Sequence, residues 1–223
     1  MNKSIIACSK KWFLKHQKKN VSKKYFIIQN KKNLNLRKLK KLNPPFIFFP
    51  HWSYYIPERI YKNFNCVIFH TSHLPYGRGG SPIQNLIMKN FKVTQICALE
   101  ARKDLDSGKI YCREKISLKG DLDEIFFNIS KKILKMIKKI SNNKYNLTKQ
   151  KGKKHTFKRL KKIDSKISKL NKIEDIYNKI RSVDDDEYPR AYIQFKCFKV
   201  EFSKAKFLNG KLICQSTIKK EYS

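Results

Sequence analysis

Three of the seven glycines in this 223-residue chain fall within four positions, Gly77-Arg78-Gly79-Gly80. Against so sparse a background, that concentration marks backbone that must turn tightly or be approached closely. The stretch opens with an apolar run ending at His70 and passes Ser72, Pro75 and Tyr76. It then meets Ser81-Pro82 at the head of a helical pattern that includes Gln84. Strand, polar Gly/Pro loop and helix follow in order. In an open parallel sheet, the loops after the carboxyl ends of the strands line the ligand crevice. An imidazole there can accept and return a proton near neutral pH. A merely structural histidine at a strand end is the plainer alternative, and the loop around it weighs against that.

The elements that must position this loop are legible as runs. Strand-like segments stand at Ser4–Cys8, Tyr25–Gln29, Phe46–Phe49, Cys66–Phe69, Val93–Leu99 and Ile110–Ile116. Helix-length connections separate the first four. Ile56, Ile60 and Phe64 recur at helical spacing before Asn65, and Ile83–Lys89 reads as a helix after Pro82. The clearest helix starts near Asp121 and keeps one face apolar through Ile140. Continuous apolar strands with helical crossovers predict an α/β fold: a Rossmann-like, mostly parallel sheet with helices on both faces. Residues 141–172 are Lys-rich with few large apolar side chains, and read as a linker crossing the surface. A short helix around Ile173–Ile180 follows. The alternating stretches Ala191–Phe202 and Lys206–Thr217, the second holding Asn209-Gly210, then predict a small β appendage with a hairpin turn. The expected division is 1–140, a catalytic domain; 141–172, the linker; and 173–223, the short helix and hairpin region.

With 52 Lys and Arg against 17 Asp and Glu, the formal charge is +35. Only eight of those cations are Arg, the better bidentate partner for phosphates and bases. Lys is abundant even between elements, which reads as compositional drift. The charge still draws anionic small ligands by long-range attraction. The six cysteines form no C-x-x-C pair and lie in or beside apolar runs, so they read as reduced, buried and structural. With no apolar run of membrane-spanning length and no signal-peptide core, the chain reads as cytoplasmic. His70-x-x-His73 and Asp184-Asp185-Asp186-Glu187 lack the completing ligands or the spacing of a metal site, so no metal is expected.

His70, Ser72, Leu74, Pro75, Arg78, Gly79, Pro82 and Gln84 fall in register with a motif of the folate-dependent formyltransferases, which the chain resembles over roughly residues 45–120. In that family a strand ends in Asn-x-His and is followed by Ser-Leu-Leu-Pro, two residues, and Arg-Gly-x-x-Pro-x-Gln. A Leu-Asp-x-Gly loop comes later, matched here by Leu105-Asp106-Ser107-Gly108, with Asp106 standing 36 residues after His70. The resemblance implies formyl transfer from 10-formyltetrahydrofolate through a tetrahedral intermediate. It assigns His70 to oxyanion stabilisation and proton transfer, and Asp106 to tuning that imidazole and ordering a relay water. The backbone of Glu100, Ala101, Arg102, Lys103, Asp104 and Leu105 would hold the pterin. Tyr76, Gly77, Arg78, Gly79, Gly80 and Gln84 would meet the substrate.

One position departs from the motif. The family's catalytic Asn stands two residues before the His, where this chain has Ile68, and an apolar side chain donates nothing to an oxyanion. His51, after the preceding strand, is the candidate substitute donor, with packing on Trp52 as its plainer role; Thr71 and Ser72 are further candidates. An inactive relative is the remaining alternative. For the acceptor, the short tail and the absence of a long basic insertion after the second strand favour a nucleotide-linked amino sugar of surface polysaccharide synthesis. Initiator tRNA comes second and glycinamide ribonucleotide third, its enzymes having a different loop after the Pro; a non-catalytic nucleic-acid-binding module is the alternative of another class. A homodimer completed through the tail strands is allowed.

Overall fold

The computed structural model describes residues 2–168 and 172–220; residues 169–171 of the expected linker and the last three of the expected tail lie outside these. The first apolar run forms β1 (Ile5–Cys8), and all four of its residues are completely buried. Successive strand side chains point to opposite faces, so this burial means that both faces of β1 are covered. Helix α1 (Lys11–Val21) turns Trp12 and Phe13 inward, and Trp12 stacks on Phe126 at 4.8 Å between ring centres. After β2 (Phe26–Ile28), helix α2 (Leu36–Leu42) is capped by Asn35, whose Oδ1 accepts the amides of Arg37 and Lys38.

Strand β3 (Ile47–His51) is followed by α3 (Glu58–Tyr61), a single turn where the sequence pattern predicts a longer helix. Pro57 stands just before it, and Ile56, Ile60 and Phe64 still share one apolar cluster with Ile5, Ile47 and Phe49. Strand β4 (Cys66–His70) carries the candidate histidine, and β5 (Arg78–Gly79) is a two-residue strand in the loop beyond. Helix α4 (Pro82–Met88), β6 (Val93–Glu100) and β7 (Ile110–Ser117) follow. Six strands form one sheet in the order β2-β1-β3-β4-β6-β7. The first four pair in parallel, and β6 runs antiparallel to β4 with Ile68 opposite Leu99. Parallel pairing brings the carboxyl ends of β3 and β4 to the same side, which is what puts His70 beside a loop cluster.

Helix α5 (Leu122–Ser141) is the long amphipathic helix that the sequence predicts. It opens on Asp121, whose Oδ1 accepts the Glu124 amide at 2.8 Å. Beyond it the expectation of a bare surface linker needs correction. Thr148 bridges to Ile110, β8 (Thr156–Phe157) is a short strand, and Lys162–Ser165 makes a 3-10 turn. Backbone polar groups in this segment find partners that its Lys-rich composition does not announce.

Helix α6 (Ile173–Ser182) packs Ile176, Ile180 and Val183 against Ala191, Phe202 and Leu212. The strands of that antiparallel sheet are β9 (Ala191–Phe195), β10 (Phe198–Leu208) and β11 (Lys211–Lys220). Asn209 and Gly210 both take positive φ, 49° and 74°, the signature of the two-residue hairpin turn that the dipeptide predicts. The expected single strand over Ala191–Phe202 is instead broken at Lys196, whose φ of 50° starts a second tight turn. The cysteines also divide. Burial pushes the Cys66 thiol up to about 12, whereas Cys197 is exposed and Cys112 and Cys214 are half-buried.

Two compact units interleave along the chain, one from residues 1–79, 94–116 and 126–156 and the other from 80–93, 117–125 and 157–223. They do not coincide with the expected division at 140 and 172. In the second unit the buried Arg181 acts as an internal brace. Its Nη1 donates to the carbonyls of Leu118 (2.8 Å) and Gly120 (3.0 Å), and its Nε donates to Asn178 Oδ1 (2.9 Å). Arg181→Met keeps the stem but strands two carbonyls. It should lower unfolding stability by about 1–3 kcal/mol in urea denaturation, and a change below a few tenths would show the brace to be idle.

Candidate active site

His70 ends β4 with its side chain 7% exposed. Its Nε2 lies 2.7 Å from the carbonyl oxygen of Gly77, and its Nδ1 lies 3.4 Å from Asp106 Oδ2. Both ring nitrogens therefore face acceptors. A neutral imidazole carries one N–H and meets one of them, whereas an imidazolium meets both. A group arriving at Nε2 has to displace the Gly77 carbonyl.

Asp106 is equally enclosed, with its side chain 6% exposed and its backbone left-handed at φ 51°. That conformation costs a non-glycine residue about 1–2 kcal/mol. The Gly79 N–H donates to Asp106 Oδ2 at 2.9 Å. A hydrogen bond to a charged acceptor contributes about 1.5–3 kcal/mol, so the contact offsets the strain. Gly108 makes the loop closable, because a Cβ on it would lie 2.0 Å from the Glu100 carbonyl oxygen. The sequence reading saw Gly79 as a substrate contact; its amide here holds the carboxylate that faces His70.

A side chain that sequence reasoning missed joins these two loops. Gln150 Nε2 donates to the carbonyls of Asp106 (2.8 Å) and Gly108 (2.9 Å), and its Oε1 accepts Nε and Nη2 of Arg78 (3.1 and 2.7 Å). Only one orientation of the amide puts donors on carbonyls and its oxygen on a guanidinium, so the assignment is fixed chemically. A lone Gln in a Lys-rich stretch carries no pattern that could have found it.

The loop expected to hold a pterin is built from both ends. The Ala101 amide donates to the Cys66 carbonyl, Lys109 N–H reaches Glu100 Oε2 at 3.3 Å, and Ser107 closes on the Asp104 carbonyl. Arg102 pairs with Glu100 at 2.9 Å. Arg102, Lys103, Asp104 and Leu105 are exposed between buried Ala101 and Asp106. Of the residues expected to meet the substrate, Tyr76 stacks on His155 at 4.6 Å, and Gly77 and Arg78 both donate backbone N–H to the His155 carbonyl. Gly80 passes tightly by Arg159, whose Cα would lie 2.5 Å from an added Cβ. Gln84 is 3% exposed and faces the phenol of Tyr188, which burial pushes up, while its Nε2 is buried without a hydrogen-bond partner.

His51 stands opposite Cys8 across a bulge in the β1–β3 register, and its ring meets the indole of Trp12 edge-on at 5.8 Å. Ile68 is half-buried and packs on two apolar clusters, one containing Leu74, Cys97 and Leu99 and the other containing Phe49 and Ile60. Among the described residues no three His, Cys, Asp or Glu side chains gather as a metal site, and no helix is long and apolar enough to cross a membrane. A cavity of about 650 Å³ opens elsewhere in the first unit, lined by Tyr111, Arg113, Lys139, Lys144 and Tyr145 but by neither His70 nor Asp106.

Closure of the Asp106 loop sets a test. Gly108→Ala forces a Cβ into backbone rather than into a yielding side chain. It should cost about 1–3 kcal/mol by urea denaturation, and wild-type stability would mean that the loop has room that this geometry denies.

A family model described as the C-terminal domain of methionyl-tRNA formyltransferase matches residues 162–219. A methionyl-tRNA formyltransferase of Sulfurihydrogenibium sp. (strain YO3AOP1) is 31% identical over 189 residues, covering 79% of this chain and 59% of that protein. The chain thus spans about three-fifths of the length of the curated relatives it matches. The solved methionyl-tRNA formyltransferase from Clostridium thermocellum is 41% identical with a TM-score of 0.92, over 99% of this chain and 100% of that one. A 4-N formyltransferase from Francisella tularensis covers 96% of each chain but at 14% identity and a TM-score of 0.63, which shows the shared fold alone. These findings overturn the expected amino-sugar acceptor, because the relatives with substantial identity carry the name of the tRNA enzyme. By motif, architecture and identity, the chain belongs to the formyltransferase family.

Proposed function

We propose that this protein transfers the formyl group of 10-formyltetrahydrofolate to the amine of methionyl-tRNA. The observation that carries the reading is the buried His70–Asp106 pair, held by the Gly79 amide at the carboxyl end of β4. The names of the relatives favour tRNA as the acceptor. The exposed Arg102 and Lys103 suit a folate, whose tail is a chain of carboxylates, and the exposed backbone of the same loop suits its polar ring edge.

In the reaction the amine attacks the formyl carbon, a C–N bond forms and the formyl oxygen becomes an oxyanion. The attacking nitrogen loses a proton, and the folate nitrogen gains one as its bond to the formyl carbon breaks. His70 is the group placed to carry that proton, and the Asp106 carboxylate matches the imidazolium while it does. With Ile68 where a donor amide is expected, oxyanion stabilisation falls to His70 once the Gly77 carbonyl is displaced. Residues 1–140 would carry the chemistry, and the charge of +35 would speed the approach of a polyanion in the cytoplasm.

The test is transfer of labelled formyl from 10-formyltetrahydrofolate to methionyl-tRNA, beside a panel of nucleotide-linked 4-amino sugars. Formylated methionyl-tRNA is the expected product. His70→Ala and Asp106→Ala should each lower kcat by about 10²–10⁴-fold, with bound folate retained. Wild-type protein that binds the folate yet leaves methionyl-tRNA unmodified would sink the reading.

A further inference from the structure

The geometry points to Gln150 as the positioning residue of the catalytic pair, an inference that rests on the formyl-transfer reading above. Asp106 has two handles, its carboxylate and its backbone carbonyl. The carboxylate meets the Gly79 amide and His70, and the carbonyl is held by Gln150 at 2.8 Å. In the left-handed conformation at φ 51°, that carbonyl gets no help from regular structure, and the residue would relax if released. The second Gln150 N–H binds the Gly108 carbonyl at 2.9 Å, so the turn is clamped on both sides of Ser107.

The other end of the amide fixes the partner loop. Gln150 Oε1 takes two donors of Arg78, the neighbour of both Gly77 and Gly79. Those glycines contact His70 and Asp106 directly. One half-buried side chain with four hydrogen bonds therefore ties together the loop after β4 and the loop after β6, from a position 44 residues beyond Asp106. Gln150 touches neither His70 nor the reacting atoms in this arrangement; it acts by setting where Asp106 stands. Lys149 and Lys151 on either side are exposed, so the backbone is turned to bring this one amide inward.

The experiment uses the full chain and two readouts, formyl-transfer kinetics and amide hydrogen exchange. In Gln150→Ala, kcat should fall about 10–100-fold while KM for the folate stays within about threefold. The Gly79 amide, which reports the Asp106 carboxylate, should exchange at least about tenfold faster while Ile47–Phe49 in β3 keep their protection. Gln150→Glu retains an acceptor for Arg78 but turns a carboxylate oxygen onto two carbonyls, and should lose as much. Gln150→Ala combined with Asp106→Ala should be no slower than Asp106→Ala alone. Unchanged Gly79 exchange, full activity in Gln150→Glu, or a parallel loss of protection through the β3 amides would each overturn the assignment. The exchange arm is independent of turnover. Faster Gly79 exchange in a protein that formylates nothing would uphold the clamp on Asp106 and overturn the formyl-transfer reading instead.

Discussion

An ionised carboxylate shut away from water is unstable unless donors surround it, and at Asp106 this requirement organises the whole site. Its donors come from outside its own loop: the Gly79 amide at 2.9 Å and the imidazole of His70 at 3.4 Å. Reaching them requires a left-handed backbone, which in turn requires something to hold the Asp106 carbonyl and a Gly108 small enough to pass Glu100. Three stretches far apart in sequence must agree before the carboxylate is satisfied. The sheet supplies that agreement. β4 delivers His70 and the glycine loop, and β6 and β7 deliver the two ends of the Asp106 loop.

Features written as local pattern were legible in the sequence. All four strand residues of β1 are buried because a continuous apolar run has no polar face to expose. Asn209-Gly210 turns because both positions tolerate positive φ. His70 stood out through its glycines, and Asp106 through a motif at the right separation. Features depending on distant partners were not legible. Gln150 is defined by two backbone carbonyls and one guanidinium, none of which marks residue 150 itself. The break at Lys196 lies inside an alternating run whose side-chain pattern continues across it. Cys197 is exposed because it sits on that unforeseen turn, not in a strand.

The acceptor was misread for a different reason. Tail length and the size of an insertion are attributes of a chain's outline, and they do not touch the reacting atoms. The Clostridium thermocellum relative has the same extent as this chain and is named for the tRNA reaction, so a short tail does not mark a sugar enzyme. Fold similarity could not have corrected this, since a sugar N-formyltransferase from Shewanella sp. shares the fold at 14% identity. Identity differs where architecture does not, at 41% to the solved methionyl-tRNA formyltransferase against 14% to the sugar N-formyltransferase.

Ile68 constrains what the remaining chemistry can be. It wedges between two apolar clusters and cannot turn a donor toward the crevice. The Gly79 amide is committed to Asp106, and the ring of His51 lies edge-on to Trp12. On the formyl-transfer reading, His70 is then both the proton carrier and the positive partner of the oxyanion. These two roles are compatible only in sequence. The ring must first take the proton from the amine, since only an imidazolium has an N–H for Asp106 and another for the oxyanion at once. The Gly77 carbonyl lies 2.7 Å from Nε2, where that second N–H would point, so the substrate exchanges one acceptor for another at Nε2. Exchange of like for like keeps the cost of opening small, while an oxyanion, being charged, makes the stronger acceptor and favours the bound arrangement.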